Sequence, residues 1–145
     1  MNSIRRALVA AFVLGVLKPL AVLAAWNKEA FSAKTAGDAL KSLGIANAQP
    51  SKDLTVELPE IAENGAVVPI EISSAIPGTT SLIVVIDKNP FPLISRFDFK
   101  EGAAPFVKLN AKLGETSDVH VFAEAAGKYY VTKREVKVTI GGCGG

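Results

Sequence analysis

The spacing of apolar residues changes along the chain. Across residues 26–44, apolar side chains recur at intervals of three and four, which is the period of one amphipathic helix. Asn27 or Ser32 suits its N-cap, and Gly44 is a typical stop signal. From Leu54 onward, apolar and polar residues alternate, as they do in strands that bury one face. The pattern therefore predicts one helix over residues 26–44 that packs on, or binds a partner through, its apolar side, followed by a strand-rich region.

Short apolar segments fill the rest of the chain at a spacing of about 8–12 residues. The stretch 45–53 is polar and predicts a loop, whereas Ser81–Asp87 is a continuous apolar strand. Turn signals separate the segments, and Asn64-Gly65 is typical of a tight hairpin, although a binding role for that turn is an equal alternative. About seven strands with such spacing predict an all-β, immunoglobulin-like β-sandwich over residues 45–140.

The first 25 residues have the pattern of an export signal. Arg5-Arg6 precedes an apolar run, and Val22–Ala25 offers small residues for cleavage. Lys18-Pro19 interrupts the run well short of the ~20 apolar residues that a membrane anchor needs. We therefore predict that residues 1–25 are cleaved and that the mature protein is periplasmic and free of the membrane. The paired arginines leave both the Sec and the twin-arginine routes open.

Charge and motifs exclude several function classes. The whole chain carries a net charge of +2, but without Arg5, Arg6 and Lys18 there remain 13 basic and 14 acidic residues. That balance does not indicate nucleic-acid binding. His120 is the sole histidine and is more typical of a solvated or interface residue than of a catalytic one. With neither zinc-ligand spacing nor a phosphate-binding glycine loop, we expect no catalytic residue, no metal site and no cofactor.

The most distinctive residues form the C-terminus. Cys143 is the only cysteine, and two glycine pairs flank it: Gly141, Gly142, Gly144 and Gly145. Glycine has the least restricted backbone, so residues 141–145 predict a mobile arm that reaches roughly 15–18 Å when extended. No cation lies within the tail to stabilise a thiolate, and the terminal carboxylate opposes it. The pattern indicates a carrier arm on which other proteins act.

A second candidate surface follows the long apolar strand. Residues 89–93 read Asn-Pro-Phe-Pro-Leu, and prolines protect sheet edges because they lack an N–H donor. Phe91 and Leu93 are therefore candidate residues for a partner interface.

Three stretches carry a family resemblance that covers the whole chain. They are the tail Val138–Gly145, the turn Ile61–Gly65 with Val68-Pro69, and the proline-rich Asn89–Leu93. Together with the exported leader, they resemble the SoxY family, the sulfur-carrier subunits of the thiosulfate-oxidising system. The terminal Gly-Gly-Cys-Gly-Gly is the most specific of these signals.

The resemblance implies a fold and a function. The family has an immunoglobulin-like fold and forms a heterodimer with SoxZ. Its terminal cysteine, here Cys143, holds pathway intermediates as covalent adducts. The haem-containing SoxXA joins thiosulfate to the thiol, SoxB releases the sulfone as sulfate, and SoxCD, where present, oxidises the remaining sulfane sulfur. The carrier itself is then not an enzyme.

Two other functions remain open at the level of the sequence. The protein is alternatively a structural or adaptor domain whose Cys143 forms an intermolecular disulfide. A thiol oxidoreductase is a third candidate, but the single cysteine and the absence of an activating neighbour in the tail disfavour it.

Overall fold

The computed structural model describes residues 26–139, so the predicted leader and the predicted arm lie outside the described residues. The described part contains two helices and nine strands: α1 (Lys28–Ser32), α2 (Ala36–Ser42), β1 (Ala48–Pro50), β2 (Leu54–Glu57), β3 (Ile61–Ala62), β4 (Val68–Ser74), β5 (Thr79–Ile86), β6 (Leu93–Asp98), β7 (Phe106–Ala111), β8 (Ser117–Ala125) and β9 (Lys128–Val138). Neither helix in this range is long and apolar enough to cross a membrane.

The strands form two sheets, which confirms the predicted all-β sandwich. The larger sheet has the order β1-β9-β8-β5-β6, with β3 also paired to β9, and the smaller has the order β2-β4-β7. Within the larger sheet, β5, β6, β8 and β9 pair antiparallel, whereas β1 and β3 pair with β9 in parallel. The strand β9 therefore has neighbours on both sides.

Apolar residues on β5 serve two separate cores, which explains its continuous apolar run. Leu82, Val84 and Ile86 point into the main core between the sheets. Ile83 and Val85 point the other way, into a smaller core that the two helices cover. All five side chains are fully buried. The fold thus has three layers, with the larger sheet in the middle.

The prediction of a single helix over residues 26–44 is wrong in one respect, because this segment forms two helices, α1 and α2. Ala33 has ψ of 142°, and Thr35 has an extended backbone with φ of −126°. The Thr35 side chain accepts a hydrogen bond from Asp38 N, so it caps a new helix. Asn27 caps α1, and Gly44, with φ of +74°, ends α2 as predicted.

Two predicted connections also differ. The segment expected as a loop, residues 45–53, contains β1, whose Pro50 is tolerated because β1 is the outermost strand of the larger sheet. Asn64-Gly65 does not form a tight hairpin, since the connection from β2 to β4 makes a detour through β3. That detour carries the chain to the end of β9.

Candidate functional site

The end of β9 is held on both sides by hydrogen bonds that its backbone amides donate. Lys137 N donates to Glu60 O at 2.9 Å, and Thr139 N donates to Ala62 O at 3.1 Å. Between them, Val138 N donates to the Thr116 side-chain oxygen at 3.0 Å. Three successive amide groups are thus satisfied at the point where the described chain ends.

A close contact at Gly65 fixes the loop that surrounds this point. Leu113 N donates to Gly65 O at 2.7 Å. A Cβ atom at Gly65 would overlap the Leu113 carbonyl oxygen and would lie 2.9 Å from Val138 Cγ1, so only glycine fits. Asn64 Oδ1 accepts a hydrogen bond from Ala66 N at 3.0 Å and stabilises the turn. We call residues 60–67 and 113–116, which surround the end of β9, the arm collar.

Cys143 lies four residues beyond Thr139, outside the described residues, as do Gly141, Gly142, Gly144 and Gly145. Their predicted roles in covalent attachment and mobility stay predictions. What the structure contributes is the origin of the tail, which follows directly from a strand in the middle of a sheet.

Of the two residues predicted for a partner interface, Phe91 is exposed and Leu93 is buried. Phe91 is 47% exposed, and the Lys34 ammonium lies 3.6 Å from the centre of its ring, within range of a cation–π contact. Leu93 is instead 3% exposed and packs in the core beneath the helices. Because its side chain already has partners within this chain, Leu93 does not offer the surface that the sequence predicted.

His120 belongs to a polar cluster that the sequence did not reveal. The register of β5 and β8 brings Asp87 beside Asp118, and His120 Nε2 lies 3.0 Å from Asp87 Oδ2. Asp87, Asp118 and His120 are the one group of potential metal ligands that the described residues bring together. Lys133 Nζ donates to Asp118 Oδ2 at 3.0 Å, which already neutralises one of the carboxylates. The His120–Asp87 hydrogen bond and the Lys133–Asp118 ion pair account for this arrangement.

Arg96 is the centre of a second polar cluster, at the other end of the same face. Its guanidinium bonds Asp98 at 2.9 Å and Glu124 at 3.1 Å, and the buried Ser81 hydroxyl donates to the same Glu124 oxygen. Burial alone would lower the pKa of Arg96, but hydrogen bonds and charge attraction from Asp98 and Glu124 outweigh it and raise the pKa. This cluster fastens strand β6 to β8 and is structural.

Two large, exposed apolar residues in the arm collar were not named as interface residues from the sequence, although the turn between them had a binding role as one alternative. Ile61 is 58% exposed and Val67 is 56% exposed. The available signal was an apolar residue on either side of the polar turn Glu63–Gly65, within a connection between two strands. Alternation alone assigns such residues to strand interiors.

Comparison with known families decides the relationship of the chain. The family model described as "Sulfur oxidation protein SoxY" matches residues 40–143. The chain belongs to the SoxY family. A solved SoxY structure, the sulfur carrier protein from Chlorobium limicola f thiosulfatophilum, is 36% identical, with a TM-score of 0.66, and the match covers 72% of this chain and 96% of that one.

A more distant structure shows the fold alone. The superoxide reductase (neelaredoxin) from Ignicoccus hospitalis is 16% identical, with a TM-score of 0.54, over 73% of this chain and 90% of that one. No curated protein sequence matched the chain. The SoxY family match confirms the resemblance inferred from the tail and the two loop motifs, and it gives the chain a role in sulfur oxidation.

Proposed function

We propose that the mature chain is a non-catalytic, periplasmic sulfur carrier that holds intermediates of thiosulfate oxidation covalently on Cys143. One observation carries the proposal: the SoxY family match extends through the tail to Cys143 itself. The similar structure from Chlorobium is of a sulfur carrier protein, and it supports the same role. The glycines on either side of Cys143 act as a swinging arm that presents the bound sulfur to partner enzymes.

The proposed cycle is the one that membership of the SoxY family implies, and each step is chemistry of the Cys143 thiol or its adducts. The Cys143 thiolate and thiosulfate join through a new S–S bond and lose two electrons, which the haem partner SoxXA accepts. Water then attacks the outer sulfone sulfur in SoxB, releasing sulfate and two protons and leaving a persulfide on Cys143. SoxCD, where present, oxidises that sulfane sulfur. No base or cation lies in the tail sequence, so activation of the thiol comes from the enzyme that receives the arm.

The proposal includes a SoxZ partner and an exported location. The exposed Phe91 lies beside β6, the strand at the opposite edge of the larger sheet from β1, whose outer edge has no strand pairing it among the described residues. An apolar ring beside such an edge suits a heterodimer contact. The leader, residues 1–25, supports export to the periplasm.

Intact-mass analysis tests the function. Protein from cells that oxidise thiosulfate is measured before and after reductant, with peptide mapping of the C-terminus. The carrier function predicts sulfur adducts on Cys143 that reduction removes, and loss of thiosulfate oxidation in a Cys143→Ser strain. An unmodified thiol together with an active Cys143→Ser strain would refute it. A reducible dimer with no sulfur adducts would favour the adaptor function instead.

A further inference from the structure

The length of the tail limits how far an enzyme can stay from the carrier. Cys143 lies four residues beyond Thr139, which hydrogen bonds to the arm collar. Four residues span at most about 13–14 Å. An enzyme that takes the Cys143 sulfur into an active-site channel must therefore bring the mouth of that channel against the arm collar.

Ile61 and Val67 are suited to that contact. Both are more than half exposed, whereas most large apolar side chains in residues 26–139 are buried. Both are β-branched, so their side chains lose little rotamer freedom when they are covered. Their backbones are also fixed: Ile61 lies in β3, which pairs with β9, and Val67 N donates to Asn64 O at 3.4 Å.

Charge does not distinguish this surface. Glu60, Glu63 and Glu115 are exposed in the arm collar, but the exposed Lys112 and Lys137 lie beside them in the chain or the sheet. Opposite signs that are interspersed in this way steer a partner weakly. Apolar contact is therefore the interaction that this surface offers most clearly.

We propose that Ile61 and Val67 form a docking surface for the enzymes that act on Cys143, and that these enzymes carry an apolar rim at the mouth of the channel. The inference rests on the proposed carrier function and adds to it. The enzyme recognises the carrier body as well as the arm. The affinity of the enzyme for the carrier then depends on the arm collar, whereas the rate of the chemical step depends on the arm alone.

The test uses the full mature chain in complex with SoxZ, loaded chemically on Cys143. The thiolate displaces thiosulfate from tetrathionate, which leaves a thiosulfonate adduct, and SoxB then releases sulfate from it. The test variant is Ile61→Ser with Val67→Ser. The control is Phe106→Ser, because Phe106 is 45% exposed and lies at the opposite end of β7 from the arm collar, about 17 Å along the strand.

We expect the double variant to lower kcat/KM for sulfate release about tenfold, through KM, while kcat stays unchanged. The Phe106→Ser control should match the wild type, and a loaded peptide of residues 140–145 should show the same KM defect as the double variant. Thermal unfolding of each variant verifies the fold, which two exposed substitutions should preserve.

Other outcomes overturn the inference separately from the proposed function. If the double variant is turned over like the wild type, the docking surface is wrong while the carrier function stands. The docking surface is also wrong, and the carrier function again stands, if the variant alters only self-association in sedimentation, because Ile61 and Val67 then join copies of this chain. If the loaded wild-type chain releases no sulfate with active SoxB, both the carrier function and the docking surface fail.

Discussion

Gly65→Ala tests whether the arm collar is as tightly packed as its geometry indicates. The added Cβ would overlap the Leu113 carbonyl oxygen and press on Val138 Cγ1 at 2.9 Å. The first of these neighbours is backbone and the second is a side chain packed against the main core, so neither moves freely. The substitution must therefore push the loop away from β9 or break the Leu113–Gly65 hydrogen bond of 2.7 Å.

The magnitude follows from three contributions. Overpacking in a well-packed region costs about 1–3 kcal/mol. Weakening one backbone hydrogen bond costs roughly 1 kcal/mol. Replacing glycine by alanine also restricts the unfolded chain, which stabilises the folded protein by about 0.4–1 kcal/mol and offsets part of this loss. We therefore expect the free energy of unfolding to fall by about 2 kcal/mol, which corresponds to a Tm lower by roughly 8 °C for a domain of this size.

Gly114→Ala is the matched control, because it changes the same residue type in the same collar. A Cβ at Gly114 meets no atom within 4 Å, and its φ is not in the left-handed region. Both variants are compared by urea denaturation followed by circular dichroism, in a Cys143→Ser background that prevents disulfide dimers. Gly114→Ala should stay within about 0.5 kcal/mol of the parent. If Gly65→Ala were as stable as the parent, the close approach of Gly65 to Leu113 in the arm collar would be refuted.

Three further predictions test the rest of the fold by urea denaturation. Leu82→Ala empties a fully buried position in the main core and should cost about 2–5 kcal/mol; a loss below about 1 kcal/mol would contradict that packing. Arg96→Met and Glu124→Gln, combined in a double-mutant cycle, should show a coupling of about 1 kcal/mol, since both side chains are partly exposed. Because the pKa of Arg96 is raised, its ion pair contributes to stability as long as the guanidinium is charged, and that contribution is lost only as pH rises through the raised pKa. The coupling should therefore persist from neutral pH to about pH 10. Asn27→Ala should cost about 1–2 kcal/mol, because Asn27 caps α1 and also donates to Ser42 O; a neutral result would show that the helices do not depend on this link.

Periodicity predicted the long strands because their burial is decided by the faces of a sheet. The alternation of Val119, Val121 and Ala123 and the continuous apolar run of β5 both correspond to buried residues in the structure. The two shortest strands, β1 and β3, escaped prediction. Each joins β9 in parallel across a long stretch of chain, and such pairing depends on the tertiary structure rather than on local pattern.

The candidate site likewise has one part that local sequence indicates and one part that depends on the tertiary structure. Cys143 could be proposed from the sequence, because a single thiol between two glycine pairs is a local pattern, and its role stays a prediction. The arm collar was not, since it joins two segments that meet only when β3 and the turn before β8 flank β9. Leu93 shows the opposite error: an apolar residue beside prolines suggested a surface, but the helices cover it.

The position of β9 has a mechanical consequence. A pull on the tail acts along the axis of β9, which is bonded to β8 over most of its length on one side and to β1 and β3 on the other. Because the bonds between strands run across that direction, they are loaded together in shear and do not open one at a time. The arm that we propose to enter partner enzymes therefore continues from a strand that is hydrogen-bonded on both sides and resists being pulled out of the sheet.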